Sequence, residues 1–193
     1  FRRYNAMDSA VLMEIFPRQE HELKTIGNWT SYVAQKELIH PLVYAGDRGI
    51  LMDTKAMKDA SARCMDEIAV LDKELRTIVG PDINYDSPVQ MINYFSIKHG
   101  VKPYVKRRKT GKSTPTLDEK ALLRLSSRGY EEAMLLVKIR KLQKVNGTYY
   151  QMGLDKDDRC RCSFNPVGTV QARISSSTSI WGTGGNLQNM PED

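Results

Sequence analysis

The chain has 193 residues, 40% hydrophobic and 27% charged, an ordinary balance for a globular protein with a buried core. Its net charge of +6 and pI near 9.2 favour a polyanionic partner. The sequence shows no apolar run near the ~18 residues of a membrane span and no signal-peptide pattern, and three cysteines are too few for a disulfide framework, which suits reduced thiols in a cytoplasmic protein.

Residues 1–16 place Val11, Leu12 and Ile15 at helical spacing, and Pro17 is expected to end that helix. On it Tyr4 and Asp8 stand one turn apart, so a hydroxyl and a carboxylate share a face. Such a carboxylate can hold a metal ion while the hydroxyl orients an attacking water. An acid in a first helical turn is also favoured by the helix dipole alone. From Gln19 to His40 a helical pattern is interrupted at Gly27-Asn28, the expected joint between domains. Glu37 to Leu42 then leads through Gly46-Asp47-Arg48-Gly49 to Ile50-Leu51-Met52-Asp53: a short helix, a glycine turn and an extended segment.

The clearest periodicity follows. Met57, Cys64, Ile68, Leu71, Leu75 and Ile78 recur in steps of three and four, with only Ser61 interrupting. This predicts one amphipathic helix of roughly 25 residues, about 37 Å long, packed on a partner helix and ended by Gly80-Pro81. A freestanding coiled coil would need more heptads and flanking charges. Ser87 and Pro88 start another helix as cap and first residue, and Gly100 closes it. Lys102, Lys106, Arg107, Arg108, Lys109 and Lys112 then fall together with no acid among them. Charge runs are usually solvated faces, but capped helices bracket this one, so it reads as a tip held on a scaffold. Thr116 with Glu119 forms the expected capping box of the next helix. Residues 130–152 predict a return helix through Ala133, Leu136 and Val145. Arg140 and Lys144 share one of its faces, a spacing equally suited to consecutive phosphates and to solvated side chains.

Asp155-Lys156-Asp157-Asp158 lacks the glycine-shaped loop of a calcium site and reads as an acidic turn. Cys160 and Cys162 have no histidine beside them, so a zinc site lacks ligands, and His21, His40 and His99 form no constellation. Residues 159–164 alternate as a strand does, with Thr169–Ile174 expected as hairpin partner across Asn165-Pro166-Val167-Gly168. Arg173 then enters the serines 175–177, a turn rich in glycine follows at 181–185, and Asn186, Gln188 and Asn189 precede Pro191. Arginine, asparagine and glutamine hydrogen-bond base edges and sugars, and serines suit phosphates. The plain alternative is a polar loop.

The order of these segments resembles family A (polymerase I-like) DNA polymerases along nearly the whole chain. Ala172-Arg173-Ile174-Ser175-Ser176-Ser177 with Asn186-Leu187-Gln188-Asn189-Met190-Pro191 is similar to the segment before the family's first catalytic carboxylate. Asn84-Tyr85-Asp86-Ser87-Pro88-Val89-Gln90, Lys109-Thr110-Gly111-Lys112-Ser113-Thr114 and Arg140-Lys141-Leu142-Gln143-Lys144-Val145-Asn146-Gly147-Thr148-Tyr149 resemble its thumb, and Tyr4 and Asp8 resemble the third motif of its 3′–5′ exonuclease. Gln171-Ala172 before the arginine and the lengthened turn at Trp181–Gly185 depart from the pattern, and the latter hints at a viral enzyme.

The resemblance implies a mainly α (α+β) fold, with long antiparallel thumb helices, a basic tip and a small antiparallel β segment near the C-terminal end. It divides the chain into 1–27 (last exonuclease helix and joint), 28–53 (entry to the polymerase domain), 54–152 (thumb) and 153–193 (first palm strands and primer-template loop). The implied DNA contacts are Lys106, Arg107, Arg108, Lys109, Lys112, Ser113, Thr114, Arg140, Lys144, Thr148, Tyr149, Arg173, Asn186, Gln188 and Asn189. Tyr4 and Asp8 would be an exonuclease remnant, with Asp8 its metal ligand. The implied reaction is template-directed deoxynucleotide transfer to a primer 3′-OH, with primer-template DNA and dNTP as partners and two Mg²⁺ held by aspartates expected beyond Asp193. The chain is then an internal piece of a replication enzyme in the cytoplasm of a bacterial or phage-infected cell, inactive alone, and any processivity factor is unspecified. The competing reading is a freestanding basic helical DNA-binding module, or the N-terminal half of a split polymerase.

Overall fold

A computed structural model describes residues 2–107, 111–169 and 171–190, with side chains for all of these except Arg2 and Asn189. Six α-helices and three two-stranded antiparallel pairs are arranged in two compact units among the described residues. One unit joins Phe1–Met52 with Gly153–Asp193, and the other is Asp53–Met152. The mainly helical expectation with small antiparallel strand pairs holds. No helix among the described residues is long and apolar enough to cross a membrane.

In the first unit, α1 (Arg2–Thr25) and α2 (Trp29–Arg48) are separated at Gly27, whose φ of 78° stops the helix. Pro17 does not end α1, contrary to the sequence expectation. A mid-helix proline withholds a donor from the carbonyl four residues back. Here that residue is Met13, 78% exposed, so water can take the orphaned carbonyl. Gly49 ends α2 with φ 62°, in a place where a Cβ would stand 2.9 Å from the Cys160 carbonyl oxygen. Only glycine suits both the backbone angle and that approach. β1 (Ile50–Leu51) then pairs with β4 (Arg159–Cys160), and β5 (Cys162–Asn165) pairs with β6 (Ser175–Thr178).

The hairpin partner of β5 is therefore not Thr169–Ile174. The register runs Cys162↔Thr178 to Asn165↔Ser175, so the serines carry the ladder. Thr169, Ala172 and Arg173 bond to one another instead: the Ala172 amide donates to the Thr169 carbonyl and the Arg173 amide to Thr169 Oγ1, both within 3.0 Å. That local turn, with Ala172 at φ 55°, leaves those backbone groups unavailable for a strand. The cysteine–arginine alternation survives as burial, with Cys160 and Cys162 inside and the arginines outward. Burial pushes the Cys160 thiol up to about 12.

The second unit holds the hydrophobic core. α3 (Thr54–Val79) is capped by Asp53, whose side chain accepts from the Ala56 amide, and Gly80 follows its end at φ 97°. It packs along α6 (Glu131–Val145), while α4 (Pro88–His99) and α5 (Glu119–Ser126) complete the cluster around Leu75, Met91, Leu122, Leu125, Leu136 and Ile139. Ser61, the polar break in the α3 stripe, donates to Asn146 Oδ1 at 2.7 Å, and Asn146 is buried. The return helix does not run to residue 152. It yields at Asn146–Tyr150 to a single wide turn of π type, which the Ser61 bond to Asn146 holds against α3.

Candidate nucleic-acid interface

The basic tip is a β-hairpin, which its sequence did not announce. β2 (Tyr104–Arg107) pairs with β3 (Ser113–Thr116) in the register Tyr104↔Thr116 to Arg107↔Ser113. Lys106, Arg107 and Lys112 are exposed, as is Ser113, and Thr114 is half-buried on the face it shares with Tyr104 and Thr116. Arg108 and Lys109 lie outside the described residues. Pairing also corrects the cap of α5. Thr116 is engaged opposite Tyr104, and Asp118 takes the capping position, its Oδ1 accepting from the Ala121 amide at 3.0 Å. An acid two residues later does the work, because the strand ends before the helix can begin.

Behind the hairpin, Arg140 is half-buried and donates from Nη1 to the Leu117 carbonyl at 2.7 Å. Burial draws its pKa down. It ties α6 to the link between β3 and α5, so it steadies the exit from the hairpin. Lys144, one turn on, is exposed, as is Thr148. Tyr149 is buried, 7% exposed, in the wide turn that contacts α3 and α6.

In the other unit, Arg173 is exposed at the end of the self-closed turn that precedes β6. The segment after the glycine-rich turn folds back onto β6 through Ser176, which is buried. Ser176 Oγ donates to Asn186 Oδ1 at 3.3 Å and accepts from the Leu187 amide at 3.0 Å. Asn186 Oδ1 also accepts from the Gln188 amide, capping the 3₁₀ turn Leu187–Asn189. Gln188 Nε2 donates to the Ile174 carbonyl. Asn186 thus commits its carbonyl oxygen inward and keeps its amide donors, while Gln188 keeps its side-chain carbonyl. The side chain of Asn189 lies outside the described residues.

The lengthened turn is pinned at both ends. Ser179 Oγ accepts from the Trp181 and Thr183 amides, and Thr183 Oγ1 donates to Asp155 Oδ1 at 3.0 Å. The acidic turn has a partner that the sequence did not reveal: Arg161 donates to Asp155 and, through both terminal nitrogens, to Asp157, all within 2.8 Å. Those bonds pull the Asp157 carboxyl down to about 2. Gly184, at φ 75°, passes so near Arg161 that a Cβ would stand 2.0 Å from the Arg161 carbonyl oxygen.

Tyr4 and Asp8 are exposed on α1, Tyr4 by 69%. Among the described residues no group of three or more His, Cys, Asp or Glu side chains could hold a metal ion. The described residues do not by themselves fit a Mg²⁺ site.

The model of the family described as DNA polymerase family A matches residues 54–193. DNA polymerase I of Helicobacter pylori (strain ATCC 700392 / 26695) is 30% identical over 147 residues, which is 75% of this chain and 15% of the relative. The thermostable DNA polymerase I of Thermus aquaticus is 24% identical over 190 residues, 96% of this chain and 22% of the relative. Among solved structures, the POL domain of Pol1 from M. smegmatis, in complex with DNA primer-template and dNTP, matches with a TM-score of 0.73 at 20% identity, over 96% of this chain and 32% of that one. The chain spans less than a quarter of the length of these curated relatives. Because the family match covers well over half of its residues, the chain belongs to DNA polymerase family A.

Proposed function

We propose that this chain is the part of a DNA-directed DNA polymerase that grips the primer–template duplex. The parent reaction transfers a deoxynucleotide from dNTP to the primer 3′-hydroxyl and releases pyrophosphate. The observation that carries the reading is the hairpin Tyr104–Thr116. Residues 101–117 contain no acid, and Lys106, Arg107 and Lys112 stand exposed on a rigid two-stranded scaffold anchored by Arg140. Cations held out in this way neutralise phosphates and release counterions, which gives affinity without base preference. Ser113, Thr114, Lys144 and Thr148 add polar contacts, with Arg108 and Lys109 assigned to the same tip. Tyr149, being buried, supports that surface from behind.

In this reading residues 54–152 are the thumb, 28–53 the entry to the polymerase domain, and 153–193 the first palm strands with the primer-template loop. To the duplex groove are assigned Arg173, the side-chain donors of Asn186 and the side-chain carbonyl of Gln188, with Asn189 in the same segment. Residues 1–27 are the last exonuclease helix, with Tyr4 and Asp8 as remnants of that site. Family A polymerases use divalent metal, which supplies Lewis-acid stabilisation of the phosphoryl transfer. Asp8 offers a single carboxylate toward such an ion.

The test is the salt dependence of duplex binding by the 193-residue chain. Affinity for primer–template should fall steeply as salt rises, equally for unrelated sequences. Charge reversal by Arg107→Glu with Lys112→Glu should flatten the slope of log K against log salt by about 0.9 or more per lost phosphate contact. An unchanged slope would show that the hairpin is not the contact.

A further inference from the structure

The cationic surface does not stop at the hairpin tip. Lys120, Arg124 and Arg128 recur every four residues along α5 and the turn just beyond it, and all three are exposed. Within α5, Lys120 and Arg124 are about 6 Å apart along the axis at 1.5 Å per residue. The guanidinium carbons of Arg124 and Arg128 lie 5.8 and 5.9 Å from the centre of the Tyr104 ring, so both arginines gather on one side of the hairpin. Lys106, two residues from Tyr104 in β2, shares that side by strand alternation. Between them runs a groove of about 460 Å³ lined by Tyr104, Lys106, Lys120 and Arg124. Two acids also line it: Asp118, which is occupied in capping α5, and Glu119.

Neither arginine makes a hydrogen bond or an ion pair with another described side chain. A guanidinium drawn toward a ring by the cation–π attraction keeps its N–H donors for another acceptor. Two such guanidiniums gathered at one ring offer a phosphate strand two sets of charged donors. The Tyr104 hydroxyl is buried and without a hydrogen-bond partner, so the phenol contributes its ring alone.

We propose that Lys120, Arg124 and Arg128, continuing from Lys106 of the tip, form a second phosphate track, which holds a backbone strand of the duplex alongside the hairpin tip and lengthens the grip. The proposal rests on the duplex-gripping reading above and deepens it. The tip supplies one set of contacts, and the track supplies another whose geometry depends on Tyr104.

Salt titrations with a primer–template duplex and the whole chain separate the two. Arg124→Gln with Arg128→Gln should flatten the slope by up to about 1.8, two contacts at ~0.9 each. Arg107→Gln with Lys112→Gln should flatten it separately, and the losses should add in the combined variant. Arg124→Lys with Arg128→Lys keeps both charges, so the slope should stay while affinity falls several-fold through loss of each guanidinium's bidentate donors. Tyr104→Leu should behave as the lysine pair does. A glutamine pair that folds, by its circular dichroism, and keeps the parent slope overturns the track. Should that variant not fold, unchanged affinity in the lysine pair overturns it. Flattening by the tip variant alone rejects the track and leaves the gripping reading standing, whereas a parent chain that holds no duplex rejects both.

Discussion

Single residues in the first unit do most to shape the loop that carries Arg173 and Asn186. Arg161 is the centre of that loop's support, bonded to Asp155, Asp157 and the Asp47 carbonyl. A carboxyl held at about 2, below its usual 3.8, favours the folded state above pH ~4 and loses that contribution as pH falls through 2. The stability difference between the parent chain and Asp157→Asn should therefore be constant above pH ~4 and shrink between pH 4 and 2, measured by denaturant unfolding at each pH. Gly184 is the other critical position. An alanine there meets both a left-handed backbone angle and a carbonyl oxygen 2.0 Å away, strain of the order of 1–3 kcal/mol or more. Gly184→Ala should lower the melting temperature, and a neutral result would show that the turn relaxes away from Arg161. Gly182, also left-handed but with open space around it, is the control.

At the scale of elements, the hairpin and α5 depend on each other. β3 ends at Thr116, Leu117 gives its carbonyl to Arg140, and Asp118 starts the helix. Asp118→Ala removes a cap, which costs about 1 kcal/mol, and should weaken duplex binding as well by loosening the hairpin's exit. Urea unfolding and the binding titration check the two effects. The capped helices on either side identified the cationic cluster as a held tip, but could not identify it as strands. Lys106 and Arg107 are followed at once by more cations, so no apolar period marks β2. The pairing comes from Tyr104 and Val105 meeting Thr116 and Pro115 across the turn. Likewise the six-residue segment 169–174 has strand-like spacing, yet Thr169 bonds its own neighbours and the serines pair instead.

For the whole molecule, the core belongs to the unit Asp53–Met152, where Leu75, Leu136 and Ile139 are fully buried between α3 and α6. Leu136→Ala should destabilise that unit by about 2–5 kcal/mol, seen in chemical unfolding followed by circular dichroism. The first unit buries chiefly Cys160, Cys162 and Ser176, and α2 contributes no buried residue. Its stability rests on short ladders and on the Arg161 bonds. The same substitution should therefore leave unfolding of the first unit's loop little changed.

Helices α3 and α4 of the second unit and the cap at Ser87 were written locally. Three- and four-residue apolar steps, glycine stops and proline starts act within a turn or two, so the sequence alone determined them, along with the family to which their order points. What the tertiary structure decided were the partnerships at long range: Ser61 with Asn146, Arg140 with Leu117, Arg124 and Arg128 with Tyr104, and Ser176 with Asn186. A side chain's donors and rings carry no record of which distant neighbour will meet them. That is settled only when the packed elements bring the two within hydrogen-bond or van der Waals reach.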